Sequence, residues 1–264
     1  MHYPNYKHLH IAKTDGIATL TMDSGEKMNG VNWHVHHELG TVFQLLAADD
    51  EVKVIIFTGA NGAFCAGANL KWLSTQLDNP PAAQESRSGG RAIVLGMLDC
   101  PKPIIARVNG DAIGLGASLA LFSDIIIADE NAHIADPHVR IGLVAGDGGA
   151  LIWPLLIGYA RAKEFLLTGN AVSATEAARM GLINYAVPAA ELDAKVDKFA
   201  RQLADGASMA IQFTKATTNI PLKQAVESVL ESSLALENVT MRSADVREGV
   251  MSFLERRKPK FQGR

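Results

Sequence analysis

The chain has 264 residues, 48% hydrophobic and 20% charged, with a formal net charge of −3. That is ample apolar material for one large domain, or one domain with a small appendage, and the slight acidity excludes the basic footprint of a nucleic-acid binder. No apolar run approaches the ~18 residues that span a bilayer.

The N-terminal stretch "MHYPNYKHLHIAKTDG" lacks the apolar centre of a signal peptide, so a cytoplasmic location is expected. Two cysteines, Cys65 and Cys100, are too few for a disulfide framework and read as free thiols. "LHIAKTDGIATLTMD" reads as two strands turning at Asp15-Gly16. "WHVHHELGTVFQLLAADD" follows with Leu39, Phe43 and Leu46 at helical spacing. His34 and His37 would share a helix face, but no third ligand is evident, so no metal is expected; His36 reads as a surface residue at the helix start. "VKVIIFTG", "PKPIIARVNG" and "SDIIIAD" are continuous apolar runs, as expected of strands buried on both faces. Strands alternating with helices predict an α/β fold. Beyond Gly148 the stretches are nearly all helical: "GGALIWPLLIGYARAKEFLLTG", "ATEAARMGLI", "ELDAKVDKFARQLADG", "MAIQFTKATTN" and "LKQAVESVLESSLALENV". A βα-rich body over 1–190 and a helical segment over 191–264 are expected. The basic cluster Arg256, Arg257, Lys258 and Lys260 reads as a solvated tail or a phosphate contact.

Two segments share one design: a buried strand, a glycine-rich turn, then a helix. They are "IIFTGANGAFCAGANLKWL" and "PIIARVNGDAIGLGASLAL". Each turn can leave backbone N–H groups unpaired at a helix start, and two such ends converging would form a hole for a negatively charged oxygen. The glycines could also serve only the tight turns.

"AFCAGANL", followed by "PKPIIARVNGDAIGLGASLALFSDIIIADENAHI", resembles the crotonase superfamily, the enoyl-CoA hydratase/isomerase family. "FLLTGNAVSATEAARMGLINYAVP" and "FLERRKPKF" extend the resemblance over nearly the whole chain. It implies a crotonase-like spiral of ββα units with a helical C-terminal segment that assembles homotrimers, often paired into hexamers. It implies an acyl-CoA substrate, with CoA present only as part of that substrate and no other cofactor. The oxyanion-hole donors would be the amides of Ala68 and Leu115, where many relatives carry glycine at the second position. Met28, Ala66, Gly67, Asn69 and Leu70 would meet the CoA, and Phe253 and Lys258 would reach the CoA of a neighbouring subunit. Asn69 stands where relatives usually have aspartate.

Hydratases of the family use two glutamates. Alignment through the turns puts Ser118 and His138 at those positions. Serine can orient a water, and histidine can act as base and acid near neutral pH. Asp147, in "AGDGGAL", supplies a carboxylate, or else caps the helix that follows it. "DPH…VAGDG" also resembles "GPH…VPGDG" of 6-oxocamphor hydrolase, a relative that cleaves a carbon–carbon bond in a cyclic β-diketone without CoA. That relative has, in addition, a histidine near His36 and a glutamate near Glu237. It lacks the "AGA(D/N)L" turn kept here, which favours a CoA substrate. The expectation is an acyl-CoA hydratase or isomerase with His138 and Asp147 moving protons. The alternatives are a β-diketone hydrolase and a non-catalytic CoA-binding scaffold. A serine hydrolase of the α/β-hydrolase type is excluded, because all eight histidines lie at or before position 138 and in that fold the triad histidine follows the acid. Trp72, Met97 and Trp153 are candidates for an acyl pocket or for the core.

Overall fold

The structure, a computed structural model, describes residues 3–78 and 80–264, with side chains described outside 79–87. The hairpin forms where the Asp-Gly dipeptide requires it. β1 (Leu9–Thr14) pairs antiparallel with β2 (Ile17–Met22), and Asp15 and Gly16 both take positive φ, as a two-residue hairpin turn demands. α1 (Trp33–Ala48) is capped by the Asn32 side chain, which accepts the amides of His34 and Val35. The apolar run becomes β3 (Val54–Gly59), buried at every position. Then follow α2 (Leu70–Gln76), α3 (Pro80–Asp99), β4 (Ile104–Val108), β5 (Ala112–Ile113), α4 (Leu115–Leu121), β6 (Ile125–Asp129) and β7 (His133–Ala135). A 3-10 turn over His138–Ile141 leads to α5 (Gly149–Ile157) and α6 (Tyr159–Thr168), which part at Gly158. The chain continues through β8 (Val172–Ser173), α7 (Ala174–Met180), β9 (Tyr185–Val187), α8 (Ala189–Ala204), α9 (Ser208–Thr240) and α10 (Ala244–Leu254).

The main sheet has the order β1-β2-β3-β4-β6-β9 and is parallel from β2 onward, while β5, β7 and β8 form a second, smaller sheet. Successive residues of β3 point to opposite faces, and both faces are covered. Val54 and Ile56, with Ile105 and Ile127, meet Leu192, Val196 and Ala200 of α8. Ile55 and Phe57 belong to the main core with Leu39, Phe43 and Leu46 of α1, Met97 of α3, and Val226 and Leu230 of α9. That is why these strands read as unbroken apolar runs.

The stretches on either side of Pro221 form one helix of 33 residues rather than two. Proline inside a helix costs ~3 kcal/mol. The buried stripe Lys215, Asn219, Val226, Leu230 and Leu234 runs through both halves, and its packing outweighs that cost. Among the described residues no helix is long and apolar enough to cross a membrane. Both cysteines are free and buried.

Candidate active site

The two glycine-rich turns meet. Gly67 and Gly114 have φ of 74° and 55°, which side chains with a Cβ rarely adopt. A Cβ on Gly67 would stand 2.7 Å from the Ile113 carbonyl oxygen and 3.6 Å from the Gly114 Cα. Bare backbone therefore packs on bare backbone. Val31 donates its amide to the Gly67 carbonyl and accepts the Asn69 amide, both at 2.8 Å. This parallel bridge leaves the amide of Ala68 on the side away from Val31. Leu115 is the first residue of α4, so its amide has no acceptor within the helix. Ala68 and Leu115 line one cavity of about 1070 Å³.

His138 stands over the second turn: a Cβ on Gly114 would lie 3.5 Å from its Cε1. Its ring is bracketed by two carboxylates. Nδ1 lies 2.5 Å from Asp136 Oδ1, and Nε2 lies 3.6 Å from Asp147 Oδ2. The other oxygen of Asp147 accepts the Ser118 hydroxyl at 3.1 Å. Asp136 is fully buried; among the described residues its Oδ2 has no hydrogen-bond partner, and it presses on Gly149, where a Cβ would come within 1.8 Å. Glu237 of α9 lines the same cavity, packed on Gly146.

These groups shift one another. Burial acts to discharge His138, but Asp136 and then Asp147 outweigh it and hold the imidazole well above its ordinary pKa. Burial pushes the Asp147 carboxyl up, against the pull of His138. Burial likewise pushes Glu237 up to about 8, with His138 opposing and the two aspartates adding to the rise. The cluster therefore keeps protons near neutrality that isolated carboxyls would lose. The ligand-capable atoms of Asp136, His138 and Asp147 all lie within 4.8 Å of one another. Each ring nitrogen already faces its own carboxylate, an arrangement suited to exchanging protons.

Met28, Ala66, Gly67, Asn69, Leu70 and Phe253 line this cavity together with Ala68, Leu115, His138 and Asp147. Asn69 also has a local role, since its side chain caps α2 by accepting the amides of Lys71 and Trp72. Ser118 is buried behind Asp147 rather than in the wall. Lys258 is not in the wall, whereas Arg256, Arg257 and Pro259 are. Trp72 lines the cavity, but Met97 and Trp153 are core residues, 1% and 0% exposed. Gly148, not Asp147, is the cap residue of α5.

The surface reading of His36 is corrected. It is buried and lines the cavity, because it falls on the inward stripe of α1 with Val35, Leu39 and Phe43. Its spacing of three from Leu39 and seven from Phe43 is the clue the sequence offers. Asp136 is not evident as a site residue from the sequence; the hint lies in Asp-Pro-His, where a carboxylate two positions before a histidine can fold back on its ring.

A family model described as enoyl-CoA hydratase/isomerase matches residues 12–264. The chain belongs to this family. It is 36% identical over 251 residues to a probable enoyl-CoA hydratase of Rhodobacter capsulatus, covering 95% of this chain and 96% of the relative. The crystal structure of an enoyl-CoA hydratase/isomerase from Mycobacterium paratuberculosis matches with a TM-score of 0.91 at 35% identity, over 95% of this chain and 100% of that one. The structure of a β-diketone hydrolase from the cyanobacterium Anabaena matches with a TM-score of 0.83 at 28% identity, over 92% and 98% of the two chains. The fold is thus the crotonase-like α/β fold of enoyl-CoA hydratases.

Proposed function

We propose that this family member is a hydratase of α,β-unsaturated acyl-CoA thioesters that works with a histidine and an aspartate instead of two glutamates. The observation that carries the reading is the His138 ring, bracketed by Asp136 and Asp147 and standing over the turn that ends at Leu115. The thioester carbonyl sits between the amides of Ala68 and Leu115. Asp147, ionised and steadied by Ser118, takes a proton from water. The water oxygen bonds to the β carbon, and the double-bond electrons move through the α carbon onto the thioester oxygen. Two main-chain donors stabilise that enolate more than the ground state. His138, kept protonated by Asp136, returns a proton to the α carbon. The backbone around Met28 and Ala66–Leu70, with Phe253 in the same cavity wall, holds the CoA, and Lys258 contacts the CoA of a neighbouring subunit in a trimer.

A co-crystal structure with acetoacetyl-CoA tests the arrangement: the thioester oxygen is expected within ~3 Å of both amides, with His138 and Asp147 beside the α and β carbons. His138→Ala and Asp147→Asn are each expected to lower kcat/KM on 2-enoyl-CoA substrates by ~10²-fold or more. Full activity in both variants would overturn the assignment. A second reading, hydrolysis of a cyclic β-diketone, draws on the His138–Asp147 pair and on the Anabaena relative. Turnover of a bicyclic diketone without CoA would favour it.

A further inference from the structure

His36 is the polar exception on the buried stripe of α1, among Val35, Leu39, Val42 and Phe43. Its ring rests on α3 at Gly89, where a Cβ would stand 2.4 Å from its Cε1 and 2.6 Å from its Nδ1. Glycine inside a helix costs ~1 kcal/mol relative to alanine, so α3 forgoes a side chain where the imidazole lies. On the neighbouring Gly90, a Cβ would come 3.5 Å from Leu234 of α9, and Glu237 follows on that helix. His36, Gly90, Leu234 and Glu237 all belong to the wall of the substrate cavity.

Among the described residues the buried Nδ1 of His36 has no hydrogen-bond partner. Burial, with His37 adding, lowers its pKa to about 4, so the imidazole is neutral at physiological pH. A buried polar atom left unpaired costs ~1–3 kcal/mol, and a role in packing alone would be better filled by leucine or phenylalanine. A few polar groups in a largely apolar pocket wall are what orient a ligand and select it. With Nδ1 turned to the α3 backbone, Nε2 is the nitrogen left to carry the proton and donate it.

We infer that His36 is a specificity residue whose Nε2–H bonds an oxygen on the acyl group away from the thioester, so that the preferred substrates are oxygenated acyl-CoA thioesters rather than plain hydrocarbon chains. This rests on the acyl-CoA reading above and adds a second polar anchor to it.

Calorimetric titration with hexanoyl-CoA and with its 4-oxo and 5-oxo derivatives tests this without any turnover. At least one oxo ligand is expected to bind the wild type about tenfold more tightly than hexanoyl-CoA, the size of one net hydrogen bond. His36→Leu brings that ratio to about one, and His36→Gln, which keeps a donor, recovers part of it. Should His36→Leu fail to fold, the ratio in His36→Gln and His36→Phe decides. Equal binding of all ligands by the wild type, or one ratio shared by wild type and variants, overturns the proposal and leaves the acyl-CoA reading standing. Binding of none of these ligands overturns both.

Discussion

Asp136, which the sequence does not single out, and His36, which it places at the surface, owe their roles to environments assembled by distant chain. Asp136 sits two residues from His138, yet its burial depends on Gly149, whose lack of a Cβ leaves room for its second oxygen. Replacing it by asparagine removes the charge that helps keep His138 protonated. The pKa of His138, raised in the native protein, is expected to fall, as for any group losing an adjacent opposite charge. If the imidazolium is the acid, kcat/KM declines as pH rises through that pKa. Asp136→Asn therefore moves the alkaline decline to lower pH, and superimposable profiles would remove Asp136 from the mechanism. His36 predicts a stability effect of its own. Folded, it stays neutral down to about pH 4; unfolded, it takes a proton below 6.5. The unfolded state thus gains protons as pH falls between those values, and stability is lost there, by about 3 kcal/mol in all. Urea denaturation of wild type and His36→Gln at pH 7 and pH 4.5 reads this, with the wild type expected to lose more.

Elements followed the sequence where their cause is local. The Asp15-Gly16 hairpin, helix α1 and the apolar β3 need only a few neighbouring residues to be recognised. Two elements needed more. α9 runs through Pro221 because its buried stripe continues on both sides, and a stripe is favourable only once α3 and the core are there to receive it. α5 begins at Gly149 with Gly148 as its cap residue and no side-chain cap hydrogen bond, and the bare Cα of Gly149 leaves room for the Asp136 carboxylate. Gly149→Ala would thrust a methyl into that carboxylate, 1.8 Å away. The expected result is a loss of ~1–3 kcal/mol in stability, the usual size for overpacking, together with reduced kcat, since His138 and Asp147 flank the same spot. Wild-type melting and turnover in this variant would show that the loop gives way more easily than its packing indicates.

At the scale of the molecule, α9 and the C-terminal stretch leave large apolar side chains in solvent: Met209, Phe213, Ile220, Leu236, Val239 and Phe253 are each more than half exposed. Such surface is expected to be covered by other copies of the chain. Sedimentation velocity should give the mass of a trimer or hexamer, and a monomer at micromolar concentration would contradict the assembly. From the sequence alone came the α/β class, the two glycine-rich turns, and His138 and Asp147 as the proposed proton-handling pair, the last through resemblance to the family. These are legible because turn chemistry and strand periodicity act over a few residues. Tertiary structure alone decided that Asp136 brackets the histidine, that Ser118 reaches across 29 positions to Asp147, and that Glu237 and His36 share their cavity. Those meetings depend on how α1, α4 and α9 pack around the sheet, and packing is a sum over the whole chain that no short stretch contains.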